Sequence, residues 1–361
     1  MKRLHIYLSV FLLILAAACV PTPVAPSGAP VAATETVSEP AVITLMSHDS
    51  FNISEEVIAE FEATNNARVE YLPSGDAGST LNQAILSKNN PLADVFFGVD
   101  NTFMSRALKA DIFDPYASPL LDKVPDQLEL DPQNRLLPVD YGDVCLNYDK
   151  AWFAEHGIDP PADLNALKDP TYRGLTVVEN PATSSPGLAF LLATVGHFGE
   201  EGYLDYWQAL KNNDVLVVDG WEEAYWGQFS AASDGDRPIV VSYASSPPAE
   251  VYFAEEPLDE APTGVVLADG ACFRQIEFIG ILKGTERQSL AKKLIDFMLS
   301  KRFQEDIPLQ MFVFPANETA ALPDVFVQYA EVPENPAYVS PEVIESNREA
   351  WIEAWTEAVL R

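Results

Sequence analysis

Leu136-Leu137-Pro138-Val139-Asp140-Tyr141-Gly142-Asp143-Val144-Cys145-Leu146-Asn147-Tyr148 and, far downstream, Cys272-Phe273-Arg274-Gln275-Ile276-Glu277-Phe278-Ile279-Gly280-Ile281-Leu282 decide how this chain is built. Both are long runs of β-forming residues with no helical pattern between their halves. Everywhere else short β-branched runs alternate with amphipathic stretches. Strands are expected at 42–46, 67–72, 94–97, 175–178, 215–218, 239–243 and 263–267. Helices are expected at 53–64, 79–88, 102–109, 187–197, 203–212 and 341–360. Strand–helix alternation predicts mainly parallel sheets flanked by helices, an α/β protein. The folded part, from Ala41 on, is roughly 320 residues, beyond the size at which single cores stop growing, so two lobes are expected. The two long runs then serve as crossovers. They divide the chain into residues 41–139 with 273–314 as one lobe and residues 140–272 with 315–361 as the other, with a ligand cleft between them. In the C-terminal helix Val343, Ala350, Ile352, Trp355 and Val359 are available for packing.

The N-terminus reads as an export signal. Lys2 and Arg3 precede an almost wholly apolar run that ends in Ala16-Ala17-Ala18-Cys19. Positive flank, apolar middle and small residues before a cleavage point are the layout of a secretory leader, here residues 1–18. The run is too short for the ~20 residues a spanning helix needs. A cysteine directly after the small residues looks like a bacterial lipobox, although Ala16 stands where Leu is usual. Cys19 is therefore the expected lipidation site. Residues 19–40 form a Pro- and Ala-rich tether with no Lys or Arg and only two Glu, a composition that cannot bury a core. The folded part is thus expected outside the cytoplasmic membrane, held to it by a lipid anchor alone.

Charge narrows the partners. Lys and Arg total 22 against 54 Asp and Glu, a net charge of −32. Such a field argues against nucleic acid and favours cationic small molecules, though solubility alone is an alternative reason for it. Cys145 and Cys272 are the cysteines left after Cys19. No Cys-x-x-Cys occurs and the four histidines are scattered, so no metal site is expected. In an exported protein the two cysteines most simply form one disulfide, the more so because both lie in the crossover runs.

Several short motifs suggest a binding site. Ser184-Ser185-Pro186-Gly187-Leu188 opens an apolar helix, with Ser185 as the expected N-cap and Pro186 in the first turn. Such a terminus either binds an anion or simply caps the helix. Ser245-Ser246-Pro247 repeats the arrangement. Asp219-Gly220-Trp221-Glu222 resembles a capping box, and Trp221 and Tyr225 share one helical face. Tyr243 closes a strand nearby. Flat rings could stack on a heteroaromatic cation, while Asp49, Asp100 and Asp140 stand at strand ends as carboxylates facing a cleft would.

Taken together these elements resemble the thiamine-binding proteins of bacterial ABC importers. The likeness is carried by His48-Asp49-Ser50-Phe51, by Ala93-Asp94-Val95-Phe96-Phe97-Gly98-Val99-Asp100-Asn101 and by Val139-Asp140-Tyr141-Gly142. It continues through Thr183 to Leu188, through Gly220-Trp221-Glu222-Glu223-Ala224-Tyr225, through Val241 to Pro247, and ends at Phe314-Pro315-Ala316-Asn317. The resemblance implies a group II periplasmic-binding-protein fold. It also implies capture of thiamine or its phosphates without chemistry or cofactor, and delivery by a monomer to membrane permease and ATPase subunits. Asp49, Ser50, Asp100, Asn101 and Tyr141 would then line one side of the cleft. Ser184, Ser185 and Gly187 would meet a phosphate, and Trp221, Tyr225, Tyr243, Ser246 and Phe312 would form the ring-binding wall. His48 replaces a Tyr of the family motif, and Phe312 replaces a Trp.

Other cations remain alternatives. Ferric ion would need adjacent tyrosines, and no Tyr-Tyr pair occurs. A polyamine site would also use carboxylates and aromatics. The rival of a different class is a thiamine-cleaving enzyme with Cys145 as nucleophile, although Asp143 and Asp149 would raise rather than lower its thiol pKa.

Overall fold

Hydrogen bonding links eleven strands into one sheet among residues 39–361, the part of the chain described by the structure, a computed structural model. The leader, Cys19 and the tether as far as residue 38 lie outside the described residues. The strands are β1 (Ala41–Ser47), β2 (Ala67–Pro73), β3 (Val95–Asp100), β4 (Phe113–Asp114), β5 (Leu137–Asp149), β6 (Thr176–Glu179), β7 (Leu216–Val218), β8 (Ile239–Tyr243), β9 (Thr263–Val266), β10 (Phe273–Leu282) and β11 (Phe314–Pro315). Their order is β2-β1-β3-β10-β5-β8-β6-β7, with β4 on β10 and with β9 and β11 on β5.

The two ends of this path are parallel trios, β2-β1-β3 and β8-β6-β7. The centre is antiparallel, because β5 and β10 pair with each other and each also pairs with one trio. These are the two runs read as crossovers. They make the sheet continuous where two separate sheets were expected. Cys145 lies in β5 and Cys272 immediately precedes β10, and register places Phe273 against Val144. The two sulfurs are bonded at 2.06 Å, with Cα atoms 4.4 Å apart. A disulfided Cys145 has no thiolate to offer, which removes the nucleophile of the enzymatic alternative.

Helices cover the sheet. They include α1 (Glu55–Asn65), α2 (Ala77–Leu86), α3 (Met104–Lys109), α4 (Lys150–His156), α5 (Ser185–Asn212), α6 (Trp221–Glu223), α7 (Pro247–Tyr252) and α8 (Gln288–Met298). α5 is two helices end to end, broken at Gly199, whose φ of 73° and ψ of 169° no helix accommodates. One core packs α1 and α8 on the sheet through Val57, Phe61, Leu294 and Ile295 against Ile43, Leu45, Phe97 and Ile279. The larger one is built on α5, with Phe190 and Trp207 beside Val241, Phe278 and Trp355. Each of these buried side chains contributes about 1.5–3 kcal/mol.

Trp355 belongs to the C-terminal helix Pro341–Val359 and meets Trp207 edge-to-face at 5.4 Å. That helix buries Ile344, Arg348, Trp351, Ile352, Trp355 and Val359. The expected packing of Val343 and Ala350 is corrected, since both are exposed. They lie one position off the 3.6-residue stripe that Ile344, Trp351 and Trp355 define.

Candidate functional site

Turns at the carboxyl ends of the parallel strands converge on one cleft, the usual place for a ligand in an α/β sheet. His48 and Ser50 follow β1, Asp76 follows β2, Ser185 and Pro186 follow β6, and Trp221 follows β7. Tyr243 ends β8, Glu277 lies in β10, and Met311 and Val313 precede β11. The cleft holds about 440 Å³ including its open mouth.

Asp76 ties the cleft together. It is the N-cap of α2, where its Oδ1 accepts the Ala77 N–H at 2.6 Å. The same oxygen accepts the Ser185 N–H at 3.2 Å, and Oδ2 accepts the Trp221 N–H at 3.0 Å. One carboxylate thus satisfies donors at the starts of three helices. Burial pushes this carboxyl above its ordinary range, and the N–H groups and His48 pull it back. The capping assignments shift accordingly. Ser184, not Ser185, is the N-cap of α5, its Oγ accepting from Gly187 N at 3.3 Å. Asp219 does not cap α6, because Asp76 supplies that acceptor.

An aromatic wall stands opposite. Trp221 lines the cleft and stacks on Tyr225, with ring centroids 4.9 Å apart and planes 18° from parallel. Its indole N–H donates to Ser242 Oγ at 2.9 Å, and that hydroxyl meets Ser246 Oγ at 2.8 Å. The ring is therefore held in place before any ligand arrives. Tyr243 OH donates to Gln275 Oε1 at 2.9 Å, and Gln275 Nε2 donates to Ser185 Oγ at 2.8 Å.

The third side is acidic. Register sets Glu277 of β10 across from both Asp100 of β3 and Asp140 of β5, so three carboxyls lie in one row. Burial pushes Asp100 up to about 7, against the bonds from Thr102 and Phe103. Burial, and then the neighbouring Glu277, holds Asp140 well above the usual carboxylate range. Glu277 faces the cleft with His48, whose Nε2 lies 3.3 Å from Glu277 Oε1. His48 fits because Gly98, at φ 103°, has no Cβ; one would lie 2.4 Å from the imidazole Cδ2. Burial lowers the His48 pKa, but Glu277, Asp76 and Asp49 outweigh it and the net shift is upward.

Of the residues expected from sequence, the structure brings Ser50, Ser185, Trp221 and Tyr243 into the cleft. The others stand elsewhere. Asp49 lines an adjoining groove with Phe51 and Tyr71. Asp100 turns back onto Thr102 Oγ1 and Phe103 N in its own turn. Asn101 extends the ladder to β10, donating to Arg274 O and accepting from Ile276 N. Tyr141 stacks on Phe314 beneath the Arg274 guanidinium. Tyr225 is fully buried behind Trp221 with its hydroxyl on Glu250, and Ser246 is buried behind Ser242. Phe312, at φ 55°, points instead to Phe253 and Tyr252, leaving Met311 and Val313 to line the cleft.

Gly187 serves packing: an added Cβ would lie 2.6 Å from the Glu179 carbonyl oxygen, so α5 can approach β6 only with glycine there. Gly187→Ala is accordingly expected to lower unfolding stability by about 1–2 kcal/mol, as overpacking does. A urea midpoint unchanged from wild type would contradict this. Asp76, Glu277, Met311 and Val313 carried no sequence signal of a site; Asp76 sits in an unremarkable Gly-Asp turn.

A family model for bacterial extracellular solute-binding proteins matches residues 90–331. A protein of Salmonella typhimurium named "Thiamine-binding periplasmic protein" is 30% identical over 326 residues, which is 89% of this chain and 94% of that protein. One of the same name from Brucella suis is 30% identical over 326 residues, covering 88% and 92%. Among solved structures, a "Periplasmic thiamin binding protein" superposes with a TM-score of 0.78 at 27% identity, covering 89% of this chain and 97% of that one. A ferric binding protein from Campylobacter jejuni shares the fold at a TM-score of 0.71 and 17% identity. With the strand order, the cleft and this likeness in agreement, the chain belongs to the bacterial extracellular solute-binding proteins.

Proposed function

We propose that the protein captures thiamine or its phosphates in this cleft and delivers the ligand to the permease and ATPase subunits of an ABC importer. The observation that carries the reading is the pairing of a preset indole, Trp221, with the acidic row headed by Glu277 across one cleft. A flat heteroaromatic cation uses both: the face of the indole for stacking and cation–π attraction, the carboxylate for charge. Likeness to proteins named for thiamine binding supports the same ligand. In this reading residues 41–139 with 273–314 and residues 140–272 with 315–361 act as two lobes that close on the ligand. The protein acts as a monomer, without catalysis, and Cys19 carries the lipid that anchors it outside the cytoplasmic membrane. Isothermal titration of the purified protein with thiamine tests the reading. Saturable one-to-one binding is expected; an absence of heat and of competition at millimolar thiamine would end it.

The His48–Glu277 contact adds a pH dependence. With its pKa raised, His48 stays protonated above pH 6.5, neutralises Glu277 and repels a cationic ligand. Deprotonation frees Glu277 for the thiazolium. Thiamine affinity is therefore expected to rise about fivefold as pH climbs from 6.5 through the His48 titration, the scale of ~1 kcal/mol for an ion pair. Stability of the unliganded protein moves oppositely, because a raised histidine pKa stabilises below the unfolded value and that contribution is lost as pH rises through the folded one. Titrations across this range should show the rise in wild type and, in His48→Gln, only the smaller change left by Asp100, which also titrates near 7; a flat wild-type profile would refute it.

A further inference from the structure

We infer that Asp306 is a positioning residue for ligand capture. Together with Gln310 it buckles the loop after β1, which brings His48 and Ser50 to the cleft, to the segment that brings Met311 and Val313 there. The inference rests on the proposed function for its ligand. Ser54 N donates to Asp306 Oδ2 at 2.8 Å, and Ser54 Oγ donates to Asp306 Oδ1 at 2.6 Å. Gln310 Nε2 donates to Ser54 Oγ at 3.0 Å, and Asn52 Nδ2 donates to Gln310 Oε1 at 2.8 Å. These bonds join segments separated by 252 to 258 residues in sequence.

Neither Ser54 nor Asp306 serves its own helix. Ser54 is the N-cap of α1 and Asp306 that of the short helix Ile307–Gln310, positions where such side chains ordinarily accept an N–H of their own first turn. In both the side chain makes no such bond, and each turns to the other. A carboxylate taking two bonds makes this a strong join. The loop is thereby fixed at both ends, because Asp49 N at its start donates to Gly75 O at 3.0 Å. Between the two fixings His48 reaches Glu277 at 3.3 Å, and Ser50 bonds the Glu222 carboxyl at the start of α6. Met311 directly follows Gln310, so the same bonds set the adjoining wall of the cleft. Without the buckle the loop has to be ordered as the ligand binds, which weakens binding.

Two readouts separate positioning from plain stability. One is NMR titration of the His48 imidazole in the unliganded protein. His48 is faced by Glu277 from β10, Asp76 from the start of α2, Glu222 from α6 and Asp49 beside it in the loop, all acidic. Wild type should therefore titrate above the ordinary histidine value of about 6.5, and a loosened loop should bring His48 back toward it. The other readout is thiamine affinity, measured above the His48 titration so that its protonation is not a variable. Asp306→Ala and Ser54→Ala are expected to lower the His48 value and to weaken thiamine binding, by roughly tenfold in Asp306→Ala. Ser54→Thr, which keeps the hydroxyl, should match wild type in both. Lowered stability with both readouts unmoved would overturn the inference. Movement of only one readout would overturn it too, as would Ser54→Thr behaving like Ser54→Ala. Should Asp306→Ala fail to fold, the two Ser54 variants decide. Should wild type not bind thiamine, the functional reading fails and the His48 titration decides the inference alone.

Discussion

Replacing Cys145 and Cys272 together with alanine is expected to lower unfolding stability by up to about 5 kcal/mol. The bond joins residues 127 apart in sequence, and closing a loop of that length removes about that much conformational freedom from the unfolded chain on the chain-entropy estimate, which measured bridges often undershoot. Both sulfurs are fully buried against Ala244, so the folded side loses little packing beyond two sulfur atoms. The measurement is a pair of urea titrations, with and without a thiol-free reductant. Wild type should shift to lower urea on reduction and approach the double variant, while the variant should not respond. Ligand affinity should stay within a few-fold, because the bridge lies on the crossover strands and not among the residues lining the cleft. Two alkylatable thiols in the unreduced, denatured protein would show that the bridge does not form.

Trp221→Ala should cost about 2–3 kcal/mol of thiamine affinity, roughly 30- to 150-fold, by removing an offset-stacked partner and a desolvated cation–π contact. The indole is anchored by Ser242 and backed by Tyr225, so no neighbouring ring can swing into its place. Tyr225→Ala provides the contrast. Tyr225 is fully buried and touches the cleft only through Trp221, so its truncation should appear first as lost stability, about 3–5 kcal/mol if the cavity stays open. Trp226, on the same turn and partly exposed, offers no substitute wall because it meets Trp221 edge-on. Titration of both variants separates the roles, and thiamine binding unchanged in Trp221→Ala would mean that the aromatic wall is misassigned.

The architecture was legible in the chain because its signals are local. β-Branched runs at 42–46, 215–218 and 239–243 coincide with β1, β7 and β8 to within a residue. The two uninterrupted runs at 136–148 and 272–282 could hardly be anything but long strands, and the apolar stretches either side of Gly199 read as two helices. The site was less legible, for a physical reason. A strand-end carboxylate looks the same in sequence whether it faces a ligand or caps its own turn; Asp100 caps. Two adjacent serines give no sign of which one caps α5; Ser184 does. Left-handed backbone at Phe312 reverses which of three neighbouring apolar side chains reach the cleft. Asp76 was missed because its partners are far downstream, so no local pattern can reveal them.

β10 has a consequence for the order in which this protein can be made. It is translated near the end of the folded part, yet it is the strand that fills the gap between β3 and β5. Until residues 273–282 emerge, Val95–Asp100 on one side and Leu137–Asp149 on the other each present an unpaired row of backbone donors and acceptors, the edge that recruits other chains. Neither half can finish itself from its own contiguous sequence, and contacts of such long range form slowly. A chain threaded outward from its N-terminus therefore has to be kept apart from its neighbours until β10 arrives. The same strand that carries Glu277 into the cleft is the one that closes these two inner edges.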